Sequence, residues 1–349
     1  MPIGEEPGAA NLRPRVILGY PLMRGQFDRI ATASPQVDLV FRDLTSQAAA
    51  DDLRDDDLEG LIAPRLPADL SRTPRLRWQQ LASAGIDHLA GDPPWRRGIT
   101  LTNARGVYAL PIAQYVLGAI LQIAERTDVR QAAQARHYWP SAAEEAAYTG
   151  RRLHEQTVLI VGYGGIGREV ARLAKPFGLR ILAVKSRPEV RVDRSYRVPG
   201  TGDPDGLLPD RLEGLDALDA LLREADFVVV TAPLTTESRG MLSAARIAAL
   251  GPRGAWLINV SRGPLVDEEA LAAALRERRI GGAVLDVFGT EPLPAGSPFW
   301  DLPNTIVTPH VSGADLTAPG TLALLFAENL RRFAAGHPLL NVVDPDRHY

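Results

Sequence analysis

Between Thr157 and Lys185 the chain reads TVLIVGYGGIGREVARLAKPFGLRILAVK. An apolar strand, Val158–Val161, runs into a glycine turn, the turn into a helix expected over Ile166–Phe177, and the helix into a second apolar strand. This is the pattern of a dinucleotide-binding βαβ unit. Gly162, Gly164 and Gly167 carry the G-x-G-x-x-G spacing, with Gly165 and Ile166 inside the same turn. The first glycine permits the sharp turn, the second leaves the backbone open to a pyrophosphate, and the third lets the helix lie close to the strand. The helix N-terminus adds unpaired N–H groups and a positive dipole end for the phosphates. In a chain with 31 glycines the spacing alone is weak. The flanking strands give it meaning.

Composition points to a globular enzyme. The 349 residues suggest two domains, and a net charge of −3 provides no basic tract for nucleic acid or a membrane surface. The longest helical candidate, Ala109–Ala135, carries Gln114, Gln122, Glu125, Arg126 and Asp128, which is unlike a membrane span. The opening MPIGEEPGAANLRP is polar and acidic, unlike a signal or transit peptide, so the cytoplasm is the expected location. With no cysteine, disulfides and thiolate metal sites are ruled out. The histidines form no recognisable metal motif, and no metal is expected.

Strand-like and helix-like segments alternate along the chain. Val16–Leu18, Val37–Phe41, Leu61–Ala63, Trp78–Leu81 and Ile99–Leu101 read as strands of a small doubly wound domain. After the glycine turn, Phe227–Thr231, Trp256–Val260, Ala283–Val287 and Thr305–Val307 are near-continuous apolar runs, as in a parallel sheet covered on both faces. The amphipathic segment Thr321–Ala335 is expected to return to the first domain. The domains are therefore drawn as 1–105 with 314–349, and 106–313. From Pro188 to Arg211 the chain is polar, rich in Gly, Pro, Asp and Arg, and without period. It reads as an excursion, either folded over the adenosine end of the cofactor or simply solvated.

Three later segments place ionisable groups just after apolar strands: NVSRGPLVDEEAL with Arg262, LDVFGTEPLP with Asp286 and Glu291, and TPHVSGAD with His310. In an open α/β sheet the ligand crevice lies beyond the carboxyl ends of the strands, so these side chains can converge. A cation, a carboxylate and an imidazole beside a dinucleotide suggest hydride transfer coupled to proton transfer on an anionic carbonyl compound. Singly, each has a plain structural reading: a surface arginine, a Glu-Pro turn, a solvated histidine.

In this order after GYGGIG, the three motifs resemble the D-isomer-specific 2-hydroxyacid dehydrogenase family. LRWQQLASAGIDHLA and GITLTNARGVYALPIAQYVLGAIL extend the resemblance over nearly the whole chain. It implies an α/β protein of two doubly wound, Rossmann-like parallel-sheet domains, the active site in the cleft between them, and a homodimer. It also implies interconversion of a 2-keto acid and a D-2-hydroxy acid with a nicotinamide cofactor. His310 would exchange the proton, Glu291 would orient the ring, and Arg262 would bind the substrate carboxylate and polarise the keto oxygen. The N–H groups of Ser83, Ala84 and Gly85 would also hold the carboxylate, and Asp286 would contact the nicotinamide carboxamide. Trp139, in RHYWPSAAEEAAYTG, is the candidate to reach the partner's cleft.

Some relatives are disfavoured on the same motifs. The formate-oxidising enzymes carry glutamine where this chain has Glu291, and the phosphite-oxidising ones a lysine in the Ser83–Gly85 turn. A glyoxylate- or hydroxypyruvate-type 2-keto acid is the expected substrate class. Corepressors of the same fold use the dinucleotide mainly as a conformational ligand, which leaves a sensing protein as the alternative reading. Gln114 and Gly289 depart from the acidic residues common at their positions, and only local packing changes are expected there. The cofactor is read from the end of the second strand. NAD sites place Asp or Glu about 20 residues after the turn. Here Lys185, Ser186 and Arg187 stand there, favouring NADP over NAD.

Overall fold

The computed structural model describes residues 13–347 apart from Ala90. The polar N-terminal stretch ending at Asn11 and Leu12, and His348, lie outside the described residues. Contacts divide the described chain into two compact units, one ending at Val107 and resuming at Leu316, the other spanning Tyr108–Asp315.

The first unit is a five-stranded parallel sheet in the order β2-β1-β3-β4-β5, built from β1 (Arg15–Leu18), β2 (Asp38–Phe41), β3 (Leu58–Ile62), β4 (Trp78–Gln80) and β5 (Thr100–Thr102). The third strand begins earlier than its apolar run suggests. It includes Gly60, which a side chain could not replace without meeting the Trp78 ring at 2.9 Å. The helix Ala318–Ala334 closes this unit by burying Leu322, Leu325, Phe326, Leu330 and Phe333, a 3.6-period stripe. Phe333 packs 4.8 Å from Trp78 between ring centroids. The buried Asn329 amide donates to Gln80 Oε1 at 2.7 Å, so the returning segment is tied to the sheet by polar as well as apolar contacts.

The second unit carries seven parallel strands in the order β12-β11-β10-β9-β6-β7-β8. They are β6 (Thr157–Val161), β7 (Arg180–Val184), β8 (Arg211–Glu213), β9 (Phe227–Val230), β10 (Trp256–Asn259), β11 (Gly282–Leu285) and β12 (Thr305–Val307). Alternate residues of the central strands fall into two separate cores. Leu159, Val161, Leu182, Val228 and Val230 join one, while Val158, Ile160, Ile181, Phe227 and Val229 join the other. Both faces are therefore covered, which is why these strands read as unbroken apolar runs. The order reverses between β6 and β9, and that switch point is where such sheets open a ligand crevice.

The structure differs from the sequence expectations in three further places. The run Ala109–Ala135 is two helices, Ala109–Ala124 and Thr127–Ala135, broken at Arg126, whose φ is 51°. The break has a local cause: Arg151 N–H takes the Ala124 carbonyl at 2.8 Å, and Arg130 holds both Glu125 and the Tyr148 carbonyl. The glycine-turn helix spans Gly165–Ala174 and tightens to a 3-10 turn over Lys175–Phe177, because Pro176 has no N–H to continue the ladder. The excursion ends in β8, an edge strand whose Arg-Leu-Glu sequence carries too little apolar period to be read. Among the described residues no helix is long and apolar enough to cross a membrane.

Candidate active site

The glycine turn sits at the carboxyl end of β6. Gly162 has φ 101°, and a Cβ there would lie 2.5 Å from the Ala232 nitrogen at the end of β9. Only glycine fits. At Gly167 a Cβ would meet the Gly162 carbonyl oxygen at 2.5 Å, so this glycine sets how closely the helix approaches its strand. Around Gly164 there is open space instead. The helix begins there with no side-chain cap, leaving the first N–H groups directed into that space. These features fit a dinucleotide pyrophosphate.

At the end of β7 the Lys185 ammonium donates to the Val190 carbonyl at 2.6 Å, while Ser186 and Arg187 are exposed. Burial lowers the Lys185 pKa, with the Arg168 guanidinium adding to the effect. Among the described residues, no carboxylate precedes Glu189 at this corner.

Arg262 lies beyond β10 in a loop shaped by the buried Asn259. The Asn259 amide donates to the Arg262 carbonyl at 3.0 Å, and its oxygen accepts from Ser261 N–H at 3.2 Å. The guanidinium donates to the Ser261 carbonyl at 2.8 Å. Next to it, a Cβ on Gly263 would sit 2.0 Å from the Phe288 carbonyl carbon. The loop after β10 is thus pressed onto the loop after β11, the one that carries Glu291.

His310 follows β12. Its Nδ1 is 2.7 Å from Glu291 Oε2, and Glu291 Oε1 accepts from Phe288 N–H at 2.9 Å. The side chains are 48% and 35% exposed, so the pair adds at most ~1 kcal/mol to stability. Its value is orientation. Nδ1 is committed to the carboxylate, which leaves Nε2 for another partner. The histidine also has φ 54°, a conformation that non-glycine residues adopt at a cost of about 1–3 kcal/mol unless the surroundings impose it.

Here the surroundings are Asp286. Fully buried, it accepts from Thr308 Oγ1 at 2.6 Å and from the N–H groups of Val311 and Ser312, both at 2.9 Å, while its carbonyl accepts from His310 N–H. Tyr115 closes the chain of bonds, its hydroxyl 2.8 Å from Thr308 Oγ1. Asp286 therefore braces the histidine loop, with lone-pair capacity left on Oδ2. Sequence reasoning missed the supporting residues Asn259, Gly263, Thr308 and Tyr115. The signal was present only as polar or small residues at strand ends. Gly289, one of the two departures, gives its N–H to Glu268 at 2.6 Å.

The structure thus brings Arg262, Glu291, His310 and Asp286 together at the ends of three adjacent strands of one sheet. The Ser83–Gly85 turn belongs to the other unit. There the Ser83 hydroxyl donates to the Gly85 carbonyl at 2.9 Å, and Asn103 and Ala104 hold the turn by its Ala84 and Ser83 carbonyls. Among the described residues the N–H groups of Ser83, Ala84 and Gly85 find no acceptor.

The model of the D-isomer specific 2-hydroxyacid dehydrogenase NAD binding domain matches residues 117–312. The chain belongs to this family of dehydrogenases. A glyoxylate reductase of Thermofilum pendens is 32% identical to this dehydrogenase over 280 residues, 80% of this chain and 78% of the relative. A glyoxylate/hydroxypyruvate reductase B of Yersinia enterocolitica is 31% identical over 82% of this chain and 84% of its own. Among solved structures, a D-isomer specific 2-hydroxyacid dehydrogenase from Xanthobacter autotrophicus Py2, in complex with NADPH and MES, superposes with a TM-score of 0.77 at 31% identity, covering 97% of this chain and 100% of that one. The dehydrogenase described here is a nicotinamide-dinucleotide-dependent oxidoreductase.

Proposed function

We propose that the enzyme reduces a non-phosphorylated 2-keto acid of the glyoxylate or hydroxypyruvate type to the 2-hydroxy acid, with NADPH as preferred reductant. The observation that carries this reading is the His310–Glu291 pair, 2.7 Å apart and half exposed, beside the Arg262 loop on the same sheet edge. The cofactor, when bound at the Gly162–Gly167 turn, supplies a hydride to the keto carbon. Arg262 grips the substrate carboxylate and draws electron density onto the keto oxygen. His310 Nε2 gives its proton to that oxygen, and Glu291 steadies the ring through both charge states. The free N–H groups of the Ser83–Gly85 turn suit a carboxylate of the same kind. Substrate-dependent loss of reduced-nicotinamide absorbance across glyoxylate, hydroxypyruvate and phenylpyruvate tests the reading. NADPH binding without turnover on any of them would favour a dinucleotide-sensing protein instead.

Cofactor preference is expected to show as a kcat/KM for NADPH roughly tenfold or more above that for NADH. A charge-assisted hydrogen bond to a 2′-phosphate contributes about 1.5–3 kcal/mol. Because the Lys185 ammonium is engaged by Val190, Arg187 is the main contributor, and Arg187→Ala should erase most of the preference. Equal or better use of NADH by the wild type would sink this reading.

Assembly as a cytoplasmic homodimer completes the proposal. Trp139 is 93% exposed and Tyr138 beside it 42%, an apolar pair on a segment that the proposed dimer would cover. Light scattering should give twice the monomer mass at micromolar concentration, and Trp139→Ser should shift the equilibrium towards monomer. A stable wild-type monomer would rule the dimer out.

A further inference from the structure

The connection between the second and third strands of a doubly wound sheet ordinarily lays an apolar helix against it. In this protein residues 186–210 contain neither helix nor strand. Most of the segment is exposed, but Asp203 and Gly206 are buried, and backbone polar groups held against the protein need partners. The partners come from the outer face of the helix Gly165–Ala174, where Arg168 is 3% exposed and Glu169 fully buried. Arg168 donates to the carbonyls of Asp203 and Arg191 and lies 3.6 Å from the Asp193 carboxylate. Glu169, gripped by Arg172, accepts from Gly202 N–H at 2.5 Å.

The contact that reaches the glycine turn itself is made by Tyr163, between Gly162 and Gly164. Its hydroxyl donates to Asp203 Oδ2 at 2.7 Å, and the same carboxylate accepts from the N–H groups of Leu207 and Leu208, both at 3.0 Å. The Arg168 guanidinium covers the Tyr163 ring at 4.9 Å. Burial, reinforced by the Asp203 carboxylate, pushes the Tyr163 phenol up, so it stays a donor at any physiological pH. At the other end of the excursion, Lys185 holds the Val190 carbonyl.

We propose that Tyr163 and Asp203 are positioning residues for the dinucleotide: the excursion is a strap fastened at Lys185 and at Tyr163. Fastening Tyr163 fixes the direction of the N–H groups that meet the pyrophosphate. Fastening the start of the strap keeps Ser186 and Arg187 at the adenosine ribose. The inference rests on the cofactor reading of the β7 corner given above, and it adds a link between that corner and the glycine turn.

Tyr163→Phe removes one oxygen and leaves the ring packed and Asp203 with its two N–H donors. NADPH titration of the variant should give a dissociation constant raised roughly threefold to tenfold, as expected when one hydrogen bond to a charged group is lost and its effect is passed on in part. The KM for NADPH should rise with it, while kcat at saturating NADPH and the KM for the keto acid stay within about twofold. A second readout is proteolytic. Arg191, Arg194 and Arg197 are exposed on the strap, so NADP⁺ should slow tryptic cleavage there in the wild type and do so less in the variant. Asp203→Asn should move both readouts in the same direction. A lowered melting temperature with unchanged NADPH affinity and unchanged protection would make the contact merely structural and overturn the proposal. Wild-type protein that binds neither NADPH nor NADH would overturn the cofactor reading along with it. Tight wild-type NADPH binding, matched by the variants, would overturn the positioning role alone.

Discussion

His310→Gln is expected to lower kcat by roughly a hundredfold to ten-thousandfold, the range that a positioned general acid contributes. Glutamine fills a similar space and can still face Glu291, but its amide cannot give up a proton to a developing alkoxide. Glu291 keeps its second anchor, the Phe288 N–H at 2.9 Å, so the loop after β11 should not collapse. Binding of NADPH should be unchanged, because the Gly162–Gly167 turn lies at the end of β6 and owes nothing to the histidine loop. The clean signature is therefore lost turnover with retained cofactor binding, read by steady-state kinetics beside an NADPH titration. A variant that kept more than about a third of wild-type kcat would remove His310 from proton transfer.

Arg262→Lys is expected to reduce kcat/KM for the keto acid by about tenfold to a hundredfold, through both a higher KM and a lower kcat. A guanidinium offers two parallel donors to a carboxylate and a fixed plane. An ammonium offers a rotating point charge. The loss of one charge-assisted hydrogen bond, about 1.5–3 kcal/mol, gives that range. The loop itself should survive, since Asn259 holds it through the backbone carbonyl of residue 262 rather than through the side chain. What disappears is the brace from the guanidinium to the Ser261 carbonyl, so the new ammonium would be less well aimed. Kinetic constants within about twofold of wild type would show that the carboxylate is bound elsewhere.

Much of this site was legible because the chemistry falls on positions that chain geometry already marks. The glycine spacing identifies itself between two apolar strands, and Arg262, Glu291 and His310 each follow a run that ends a strand. The supporting residues gave no such mark. Asn259 reads as the polar end of a strand, Thr308 and Tyr115 as ordinary residues of a loop and a helix, and Gly263 as one glycine among many. Asn259 acts on its own loop, through Ser261 and Arg262, while the others acquire their roles from neighbours distant in sequence: Phe288 against Gly263, and Asp286 between Thr308 and Val311.

The excursion shows the same limit from another side. Its lack of apolar period reads as a surface excursion, folded over the cofactor or solvated, and most of it is exposed, but Asp203 is buried and bonded to Tyr163, Leu207 and Leu208. A loop stapled by polar side chains has no hydrophobic period for a sequence reading to find.

By itself, then, the sequence determined the strands apart from β8 and the start of β3, because period and burial are local to each segment. It also determined the glycine turn, because Gly162 takes a positive φ and Gly167 must pass the Gly162 carbonyl five residues before it. Tertiary structure alone decided the break at Arg126, where Arg151 N–H captures a helix-ending carbonyl. It also decided the left-handed backbone of His310 and the bracing by Asp286. These depend on hydrogen bonds between residues brought together by adjacent strands, and no local propensity encodes which buried carboxylate a loop will meet.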